Sequence, residues 1–229
     1  MSDSLIKGII VTGHYAAGKG DVTNYILALL DQHFPSLNST LETDREYLNA
    51  AVLQDTGRQH STIIHYGPPL VFNVKDGTLH HEAHINMVRS ITEAPSRSLR
   101  VLEIATGPDV PSFELYQSGK HLTELLTQLG AIDHTLVLEV AAPYSVRLER
   151  NAQRPDRVSD EIMAVAATDG GEMYKVKHLL ENHYHRLWNG DNGGLSQRVL
   201  QTFEQFIKPH IETSVAMFEG NAGRAGWIR

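Results

Sequence analysis

Residues 13–21, GHYAAGKGD, place one lysine among three glycines in a spacing that suits phosphate chemistry. They nearly match G-x-x-x-x-G-K-[ST], in which backbone N–H groups surround the phosphates and the lysine reaches the terminal ones. The apolar IIVT before the segment and the helical spacing of apolar residues after it supply the strand–loop–helix setting that such a loop requires. The alternative is a glycine-rich turn with a solvent-exposed lysine. The setting favours a phosphate-binding loop formed by Gly13, Ala16, Ala17, Gly18, Lys19 and Gly20.

The end of this loop is unusual, because Gly20 takes the place of the motif's hydroxyl residue and Asp21 follows it. AAGKG, residues 16–20, resembles GAGKG in the adenylate kinase family, whose loop ends in GKGT. The resemblance implies ATP binding, with Asp21 standing where the family has a threonine that donates to a phosphate. An ionised carboxylate cannot donate and would repel the phosphate. Asp21 therefore either joins a Mg²⁺ shell through water or stabilises the start of the helix, and the sequence leaves both open.

A second candidate group lies in ETDREYLNAAV, residues 42–52, after a strand predicted over Leu37–Thr43. It resembles the end of the second strand in dephospho-CoA kinases and shikimate kinases, where a D-x-D or T-D pair opens the next helix. The resemblance implies that Asp44 orients or deprotonates an acceptor hydroxyl, or binds Mg²⁺. The alternative is that Asp44 only caps a helix predicted over Arg45–Gln54.

A third acid, Glu103, lies inside VLEIA, a stretch that is otherwise apolar and typical of a central parallel strand. Burying a carboxylate there is costly unless it meets a partner or a metal ion. In P-loop proteins the comparable strand carries the acid that holds Mg²⁺ through water. Glu103 is therefore the candidate magnesium ligand, the alternative being an ion-paired residue at a strand end.

Arginines recur in RLERNAQRPDR, where Arg147, Arg150 and Arg154 share one helical face and Arg157 follows Pro155. The segment resembles the lid of nucleotide kinases, in which guanidinium groups neutralise the transferring phosphoryl group and exclude water. This resemblance implies a lid over residues 144–171, with Arg150 contacting the nucleotide and Arg154 and Arg157 acting in transfer. The alternative is a solvated helix face whose arginines pair with Glu149.

Two further features carry weaker signals. Asn189 opens NGDNGG after the strand-like YHRLW, and this resembles the loop that contacts the base in these kinases, although any turn could have this composition. Among 13 histidines, HHEAH places His80 and His84 one helical turn apart, a workable Zn²⁺ spacing. Neither H-E-x-x-H nor a third ligand is evident, so we expect surface histidines. They could also help to bind substrate, since they lie in the region where nucleotide kinases hold the acceptor.

These residues need a scaffold in which strand ends meet. Strands are predicted over Ile6–Thr12, Leu37–Thr43, Leu99–Ala105 and Thr135–Val140, and strand-like stretches occur at residues 70–74 and 184–188. Helices are predicted over Asp21–His33, Arg45–Gln54, Leu79–Thr92, Glu114–Leu129, Tyr144–Arg154, Glu172–His183 and Leu195–Met217. This alternation predicts an α/β protein, a three-layer α/β/α sandwich with a parallel sheet of about five strands. We expect one domain over residues 1–229, with an acceptor-binding insertion at 57–92 and an irregular tail at 219–229.

Composition limits the range of partners. The 229 residues carry a formal charge of −7, which argues against a nucleic-acid partner, and no apolar run is long enough to cross a membrane. The absence of cysteine excludes disulfides and thiolate metal sites and suits a cytoplasmic location.

The features combine into one expectation, a P-loop kinase of the nucleotide-kinase type that uses ATP and Mg²⁺ to phosphorylate a small-molecule acceptor. Lys19, Asp44, Arg154 and Arg157 would act in transfer, and Glu103 with Asp44 would hold the metal ion. Two rivals are an ATP-driven regulator or hydrolase and a nucleotide-binding module without activity. A GTPase is disfavoured, because no N-K-x-D follows a strand.

Overall fold

The computed structural model describes residues 5–106, 119–154, 157–165, 173–190 and 193–225. Within these ranges the strands are β1 (Gly8–Gly13), β2 (Asn38–Thr43), β3 (Ser61–His65), β4 (Val71–Val74), β5 (Ser98–Ala105), β6 (Thr135–Ala141) and β7 (Tyr184–Trp188). The α-helices are α1 (Lys19–His33), α2 (Asp44–Gln54), α3 (Thr78–Thr92), α4 (Gly119–Gln128), α5 (Tyr144–Ala152), α6 (Asp160–Val165), α7 (Met173–Val176), α8 (Leu195–Thr202) and α9 (Lys208–Ala225). Most predicted strands and helices are confirmed, with boundaries moved by one or two residues.

Five parallel strands form the central sheet in the order β2-β5-β1-β6-β7. The register sets Thr43 beside Glu103 and Gly13 beside Ala105, so the strands end along one edge. Chain connections leave β1 and β6 in opposite directions, and a crevice for ligands is expected at such a point. Among the described residues, the loop after β1, the start of α2 and Thr106 after β5 meet at this edge, where the predicted site lies.

Both faces of the sheet are apolar and covered by helices. Ile9, Val11 and Leu138 point to one face, where the buried side chains of α1, α8 and the following segment pack. Ile10 and Leu102 point to the other face, against α3 and α4. Fully buried strands of this kind are typical of parallel sheets. The predicted three-layer α/β/α sandwich is thereby confirmed.

The insertion between α2 and α3 is an antiparallel hairpin of β3 and β4, in which the predicted strand at residues 70–74 is confirmed. Its apolar residues Ile63 and Phe72 pack against the buried Val52 and Leu79 of the flanking helices. A two-stranded hairpin needs such support to be stable in water. The hairpin therefore forms a small lobe beside α2 and α3.

Two helix predictions are corrected by the structure. A single helix over Glu172–His183 is wrong, since α7 ends at Val176 and two 3₁₀ turns, Lys177–Leu179 and Glu181–His183, carry the chain into β7. Met173 in α7 and Leu180 between the two turns are both buried, so the apolar spacing could not distinguish this path from a single α-helix. The helix over Leu195–Met217 is interrupted by the π-helical Phe203–Ile207.

The tail was expected to be irregular from residue 219, but α9 continues to Ala225. Glycine costs a helix interior only about 1 kcal/mol, so a long preceding helix can continue through it. The predicted helix over Glu114–Leu129 is observed as α4, and residues 114–118 of that prediction lie outside the described residues.

Candidate active site

The loop between β1 and α1 requires glycine at two of its motif positions. Gly13 has φ 144°, and a Cβ there would lie 2.2 Å from the backbone oxygen of Val140. Gly18 has φ 90°, and its Cβ would lie 2.4 Å from Nδ2 of Asn189. Both contacts are too short for any side chain. The spacing of the motif thus reflects close packing of the loop against β6 and the residue after β7.

Lys19 is the first residue of α1, and its side chain is buried with a relative exposure of 8%. Its Nζ donates to the backbone oxygens of Gly13 and His14, both at 3.1 Å. Burial lowers the pKa of Lys19, and the nearby carboxylates of Asp44 and Glu103 oppose this shift. The alternative of a solvent-exposed lysine in a mere turn is therefore wrong.

Gly20 stands opposite Glu103, the acid predicted as a magnesium ligand. A Cβ at Gly20 would meet only Oε2 of Glu103, at 3.6 Å, so the position of the motif's hydroxyl faces this carboxylate. Glu103 is half-buried, and burial raises its pKa while Lys19 lowers it. Glu103 therefore lies beside the phosphate-binding loop, and the alternative of an ion-paired residue unrelated to the loop is wrong.

Asp44 does not cap α2. Thr43 is the N-cap, with its hydroxyl accepting from the Glu46 N–H at 3.3 Å and the Glu46 carboxylate accepting from the Thr43 N–H at 2.8 Å. Oδ2 of Asp44 instead accepts a hydrogen bond from the N–H of Ala105, at 2.7 Å. The alternative that Asp44 serves only as a cap is therefore wrong. Its carboxylate is fixed at the end of β5 by Ala105, which lies two residues after Glu103.

The side chains at this edge of the sheet include the kind of ligand that Mg²⁺ prefers. Glu103 and Asp44 offer carboxylate oxygens, the ligands that Mg²⁺ prefers, and the charge of each acts on Lys19. In the described part of the chain, no three His, Cys, Asp or Glu side chains converge to hold a metal ion. Either carboxylate could therefore hold an ion whose other ligands are water and phosphate oxygens, as is common for Mg²⁺.

Thr106, directly after β5, ties the loop to the neighbouring strand end. Its N–H donates to Gly13 O at 3.1 Å, and its Oγ1 accepts from the hydroxyl of Thr12 at 3.2 Å. Its backbone oxygen lies 3.1 Å from Nδ1 of the buried His14. His14 was not predicted, because the motif leaves its position undefined. Its imidazole supports the loop from within.

Arg150 and Asn189, which the sequence predicts to contact the nucleotide from separate segments, meet at the loop. The oxygen of Ala17 accepts from Arg150 at 3.2 Å and from Nδ2 of Asn189 at 2.8 Å, and Arg150 also lies 3.4 Å from Oδ1 of Asn189. Burial lowers the pKa of Arg150, and the carboxylate of Asp21 opposes this shift. Asp21 is exposed in the first turn of α1. Its negative charge acts on the Arg150 guanidinium as well as on the N-terminus of the helix.

The other arginines differ in exposure. Arg147 is fully buried, donates from Nε to Ala142 O at 3.3 Å and lies 5.4 Å from the ring centre of Tyr144, so a solvated helix face is wrong for it. Arg154 is exposed, yet its charge lowers the pKa of Lys19 and of Glu103. Arg157 is exposed, and among the described residues no hydrogen bond or ion pair joins it to the loop.

Sequence reasoning missed Glu139, which lies in β6 with no exposed surface. Its oxygens accept from the hydroxyl of Tyr184 at 2.6 Å and from the N–H of Met173 at 2.8 Å, and Nε of Arg186 lies 3.8 Å away. Burial raises the pKa of Glu139 and that of Tyr184. The signal was a carboxylate inside the apolar TLVLEV, the same signal that singled out Glu103.

The histidines form a contact that was not predicted. Nδ1 of His81 on α3 lies 3.1 Å from Nε2 of His121 on α4, and burial together with His81 lowers the pKa of His121. His84 is 4% exposed and its ring centre lies 6.5 Å from that of His121. The expectation of surface histidines is therefore wrong for His84.

Comparison with known proteins agrees with this architecture. No protein-family model and no curated protein matches the chain. Among solved structures, a sugar kinase from Janibacter sp. aligns over 91% of this chain and 98% of its own, with 10% identity and a TM-score of 0.50. TT1252 from Thermus thermophilus aligns over 88% and 97%, with 15% identity and the same TM-score. Shikimate kinase from Acinetobacter baumannii aligns over 89% and 94%, with 13% identity and a TM-score of 0.47.

The chain has a P-loop fold of the nucleotide-kinase type, which the sheet, the loop and these structural neighbours define together. At identities this low, the likeness shows the fold and not the reaction. Across the described ranges, no helix has the length and apolar character needed to cross a membrane.

Proposed function

We propose that this protein transfers the γ-phosphoryl group of ATP to a hydroxyl group of a small-molecule acceptor. The observation that carries the proposal is the placement of Lys19. Its buried ammonium group lies on the loop carbonyls between the charges of Asp44 and Glu103, at the edge where the parallel strands end. Such a lysine is placed to exchange its carbonyl partners for phosphate oxygens when ATP binds.

Each neighbouring group takes a role in this proposal. The N–H groups of the loop and of the first turn of α1 would hold the phosphates, since a helix N-terminus favours anions. Arg154, whose charge reaches Lys19 and Glu103, would neutralise charge on the transferring group. Glu103 would hold Mg²⁺, which when bound supplies charge neutralisation at the phosphate oxygens, and Asp44 would face the acceptor.

The chemical step is an in-line displacement. The acceptor oxygen forms a bond to the γ-phosphorus as the bond from phosphorus to the ADP oxygen breaks, and the hydroxyl proton passes to a carboxylate. We assign that proton to Asp44, because its hydrogen bond from Ala105 fixes the carboxylate at the strand edge. Positioning and electrostatics provide most of the rate enhancement in such a reaction.

The acceptor would bind on the side of the hairpin lobe, within residues 57–92. Ile64 in β3 (61%) and Tyr66 in the turn between β3 and β4 (66%) expose their apolar side chains. Arg45, at the start of α2, donates to Leu70 O at 2.9 Å and lies over the ring of Phe72, so it links this lobe to Asp44. The proposed partner is therefore a small molecule held beside the hairpin lobe, and not a nucleic acid or a membrane.

The test is calorimetric titration with ATP and Mg²⁺ of the wild type, Lys19→Ala and the control Lys120→Ala. Lys120 is a surface lysine whose ion pair with Glu124 is exposed. We expect Lys19→Ala to weaken ATP binding at least tenfold and Lys120→Ala to leave it unchanged. Equal affinities in all three proteins would contradict the phosphate-binding role of the loop.

A nucleotide-binding module without activity is the second candidate, favoured by Gly20 and Asp21 in place of the motif's hydroxyl and the family's threonine. A panel of nucleosides, nucleotides and small alcohols distinguishes the two functions. ATP binding without acceptor-dependent ADP release would support the module, and ADP release above a no-acceptor control would support the kinase.

A further inference from the structure

One peptide bond of the phosphate-binding loop, that between Ala17 and Gly18, is held from two sides of the molecule. Its carbonyl oxygen, Ala17 O, accepts from Nδ2 of Asn189 at 2.8 Å and from Nη1 of Arg150 at 3.2 Å. Arg150 belongs to α5 and Asn189 directly follows β7, so both donors come from outside the loop. The orientation of this carbonyl group is therefore set by contacts that the loop itself does not supply.

The amide group of Asn189 has its own orientation fixed by chemistry. A carbonyl oxygen can only accept and a guanidinium group can only donate, so Nδ2 faces Ala17 O while Oδ1 faces Nη2 of Arg150, at 3.4 Å. The backbone N–H of Asn189 donates to Ala141 O at the end of β6, at 2.6 Å. Asn189 is only 2% exposed. Its side chain is thus enclosed and directed at the loop.

Gly18 gives the Asn189 amide room to reach the loop, because a Cβ at Gly18 would lie 2.4 Å from Nδ2. The peptide bond between Ala17 and Gly18 is trans. In a trans peptide the C=O group and the next N–H group point in opposite directions. Since Ala17 O is directed toward Asn189 and Arg150, the N–H of Gly18 is directed away from both of them.

From this arrangement we infer that Asn189 is a positioning residue for phosphate binding, which turns the Gly18 N–H toward a phosphate oxygen of the nucleotide. The inference rests on the proposed binding of ATP by the loop. Backbone N–H groups are the donors with which such loops hold phosphates. A donor that is oriented before the ligand arrives avoids the cost of reorganisation on binding. Asn189 therefore acts through the loop backbone and not through the base.

The first experiment titrates ATP and inorganic tripolyphosphate, each with Mg²⁺, into the wild type, Asn189→Ala and the control Asn182→Ala. Tripolyphosphate carries the phosphate chain without a sugar or a base, and Asn182 is exposed. We expect Asn189→Ala to weaken both ligands by the same factor, about three- to tenfold, as for the loss of one hydrogen bond. Asn182→Ala should leave both affinities unchanged. Weaker ATP binding with unchanged tripolyphosphate binding would place Asn189 on the base and overturn the inference.

A second measurement observes the peptide itself by nuclear magnetic resonance. Ala–Gly occurs at residues 17–18, 222–223 and 225–226, so ¹³C-carbonyl alanine with ¹⁵N-glycine gives one correlated amide peak for each pair. Serine substitutions of the two tail alanines identify the other peaks. We expect tripolyphosphate with Mg²⁺ to move the Gly18 amide proton downfield, because hydrogen bonding to a phosphate oxygen deshields it. Asn189→Ala should reduce this shift at saturating ligand, and a full shift would overturn the inference.

Lys19→Ala separates failure of this inference from failure of the proposed function. Loss of both ligands in Lys19→Ala, with wild-type affinities in Asn189→Ala, would leave the proposed function standing and overturn the inference. If the wild type binds neither ligand, the proposed function fails and the inference fails with it. Asn189→Leu also lacks the donor but fills the space that Ala leaves empty, so it repeats both measurements if Asn189→Ala does not fold.

Discussion

The Asp44 carboxylate accepts a hydrogen bond from the N–H of Ala105 at 2.7 Å, while its neighbour Thr43 caps α2. The two residues at the start of this helix therefore have separate tasks. Thr43 stabilises the helix, and Asp44 joins the end of β2 to the end of β5 beside Glu103. The Asp44 carboxylate does not cap α2 and is fixed at the strand edge, where it can take part in phosphoryl transfer.

This division predicts opposite effects for two substitutions. Asp44→Asn keeps the shape of the side chain but removes the proton acceptor, so we expect turnover to fall by about 10²–10⁴-fold with little loss of stability. Thr43→Ala removes the cap and should cost about 1 kcal/mol of unfolding free energy while turnover is retained. Steady-state kinetics and urea unfolding measure both. Equal loss of stability in the two variants, with equal turnover, would contradict the assignment.

Gly13 and Gly20 should differ in how well they tolerate substitution. Gly13→Ala would bring a Cβ to 2.2 Å from Val140 O, so we expect loss of ATP binding and destabilisation by more than about 1 kcal/mol. Gly20→Ser places a Cβ in ordinary contact with Glu103, at 3.6 Å, and should leave folding intact and Mg²⁺-dependent ATP binding at least as tight. Thermal unfolding and calorimetry compare them. A Gly13→Ala protein that binds ATP normally would show that the loop geometry is misassigned.

Asp21 repels phosphate and acts on Arg150 in this account. Asp21→Thr replaces the carboxylate by a hydroxyl donor, so ATP should bind several-fold more tightly. Calorimetry with and without Mg²⁺ measures the change, with the isosteric Asp21→Asn as the matched variant. If Asp21→Thr instead abolishes the Mg²⁺-dependent part of binding, Asp21 belongs to the metal site.

The hairpin lobe should depend on pH through His60 and Asp76. Nδ1 of His60 lies 2.8 Å from Oδ2 of Asp76, and this hydrogen bond raises the pKa of His60 and lowers that of Asp76 to about 2. The His60 contribution is complete below its unfolded pKa of about 6.5 and is lost as pH rises through the folded value. The Asp76 contribution is complete above about 3.9 and is lost as pH falls toward 2.

The lobe should therefore be most protected between about pH 4 and 6.5. Amide hydrogen exchange of β3 and β4 in the wild type and His60→Gln measures this, after correction for the intrinsic pH dependence of exchange. His60→Gln should remove the loss of protection above pH 6.5. An unchanged pH profile would show that the ion pair does not support the hairpin.

The sequence was informative where a polar residue interrupted an apolar strand or a glycine-rich motif joined a strand to a helix. Glu103 and Lys19 were found in this way, and the alternation of strands and helices identified the sandwich. Glu139 carried the same signal as Glu103, but its partners Met173 and Tyr184 are 34 and 45 residues away along the chain. The spacing of Arg147, Arg150 and Arg154 predicted one shared helical face, but α5 ends at Ala152, so Arg154 lies beyond the helix and is exposed while Arg147 is buried.

Other features depend on packing that local patterns do not encode. His81 contacts His121 because α3 and α4 are neighbours, a contact across 40 residues of sequence. The path from Met173 to Tyr184 uses 3₁₀ turns although its apolar residues also fit an α-helix. The local conformation in such segments is set when the sheet and helices pack together, because burial selects between conformations of similar energy.

The central claim is phosphoryl transfer at the edge occupied by Lys19 and Asp44. Acceptor-dependent formation of ADP from ATP and Mg²⁺, measured across a panel of hydroxyl compounds, tests it most directly. We expect at least one acceptor to raise ADP formation above the no-acceptor control in the wild type. Lys19→Ala and Asp44→Asn should lose this increase, and Lys120→Ala should keep it. Acceptor-dependent ADP formation that persists undiminished in both Lys19→Ala and Asp44→Asn would contradict the account.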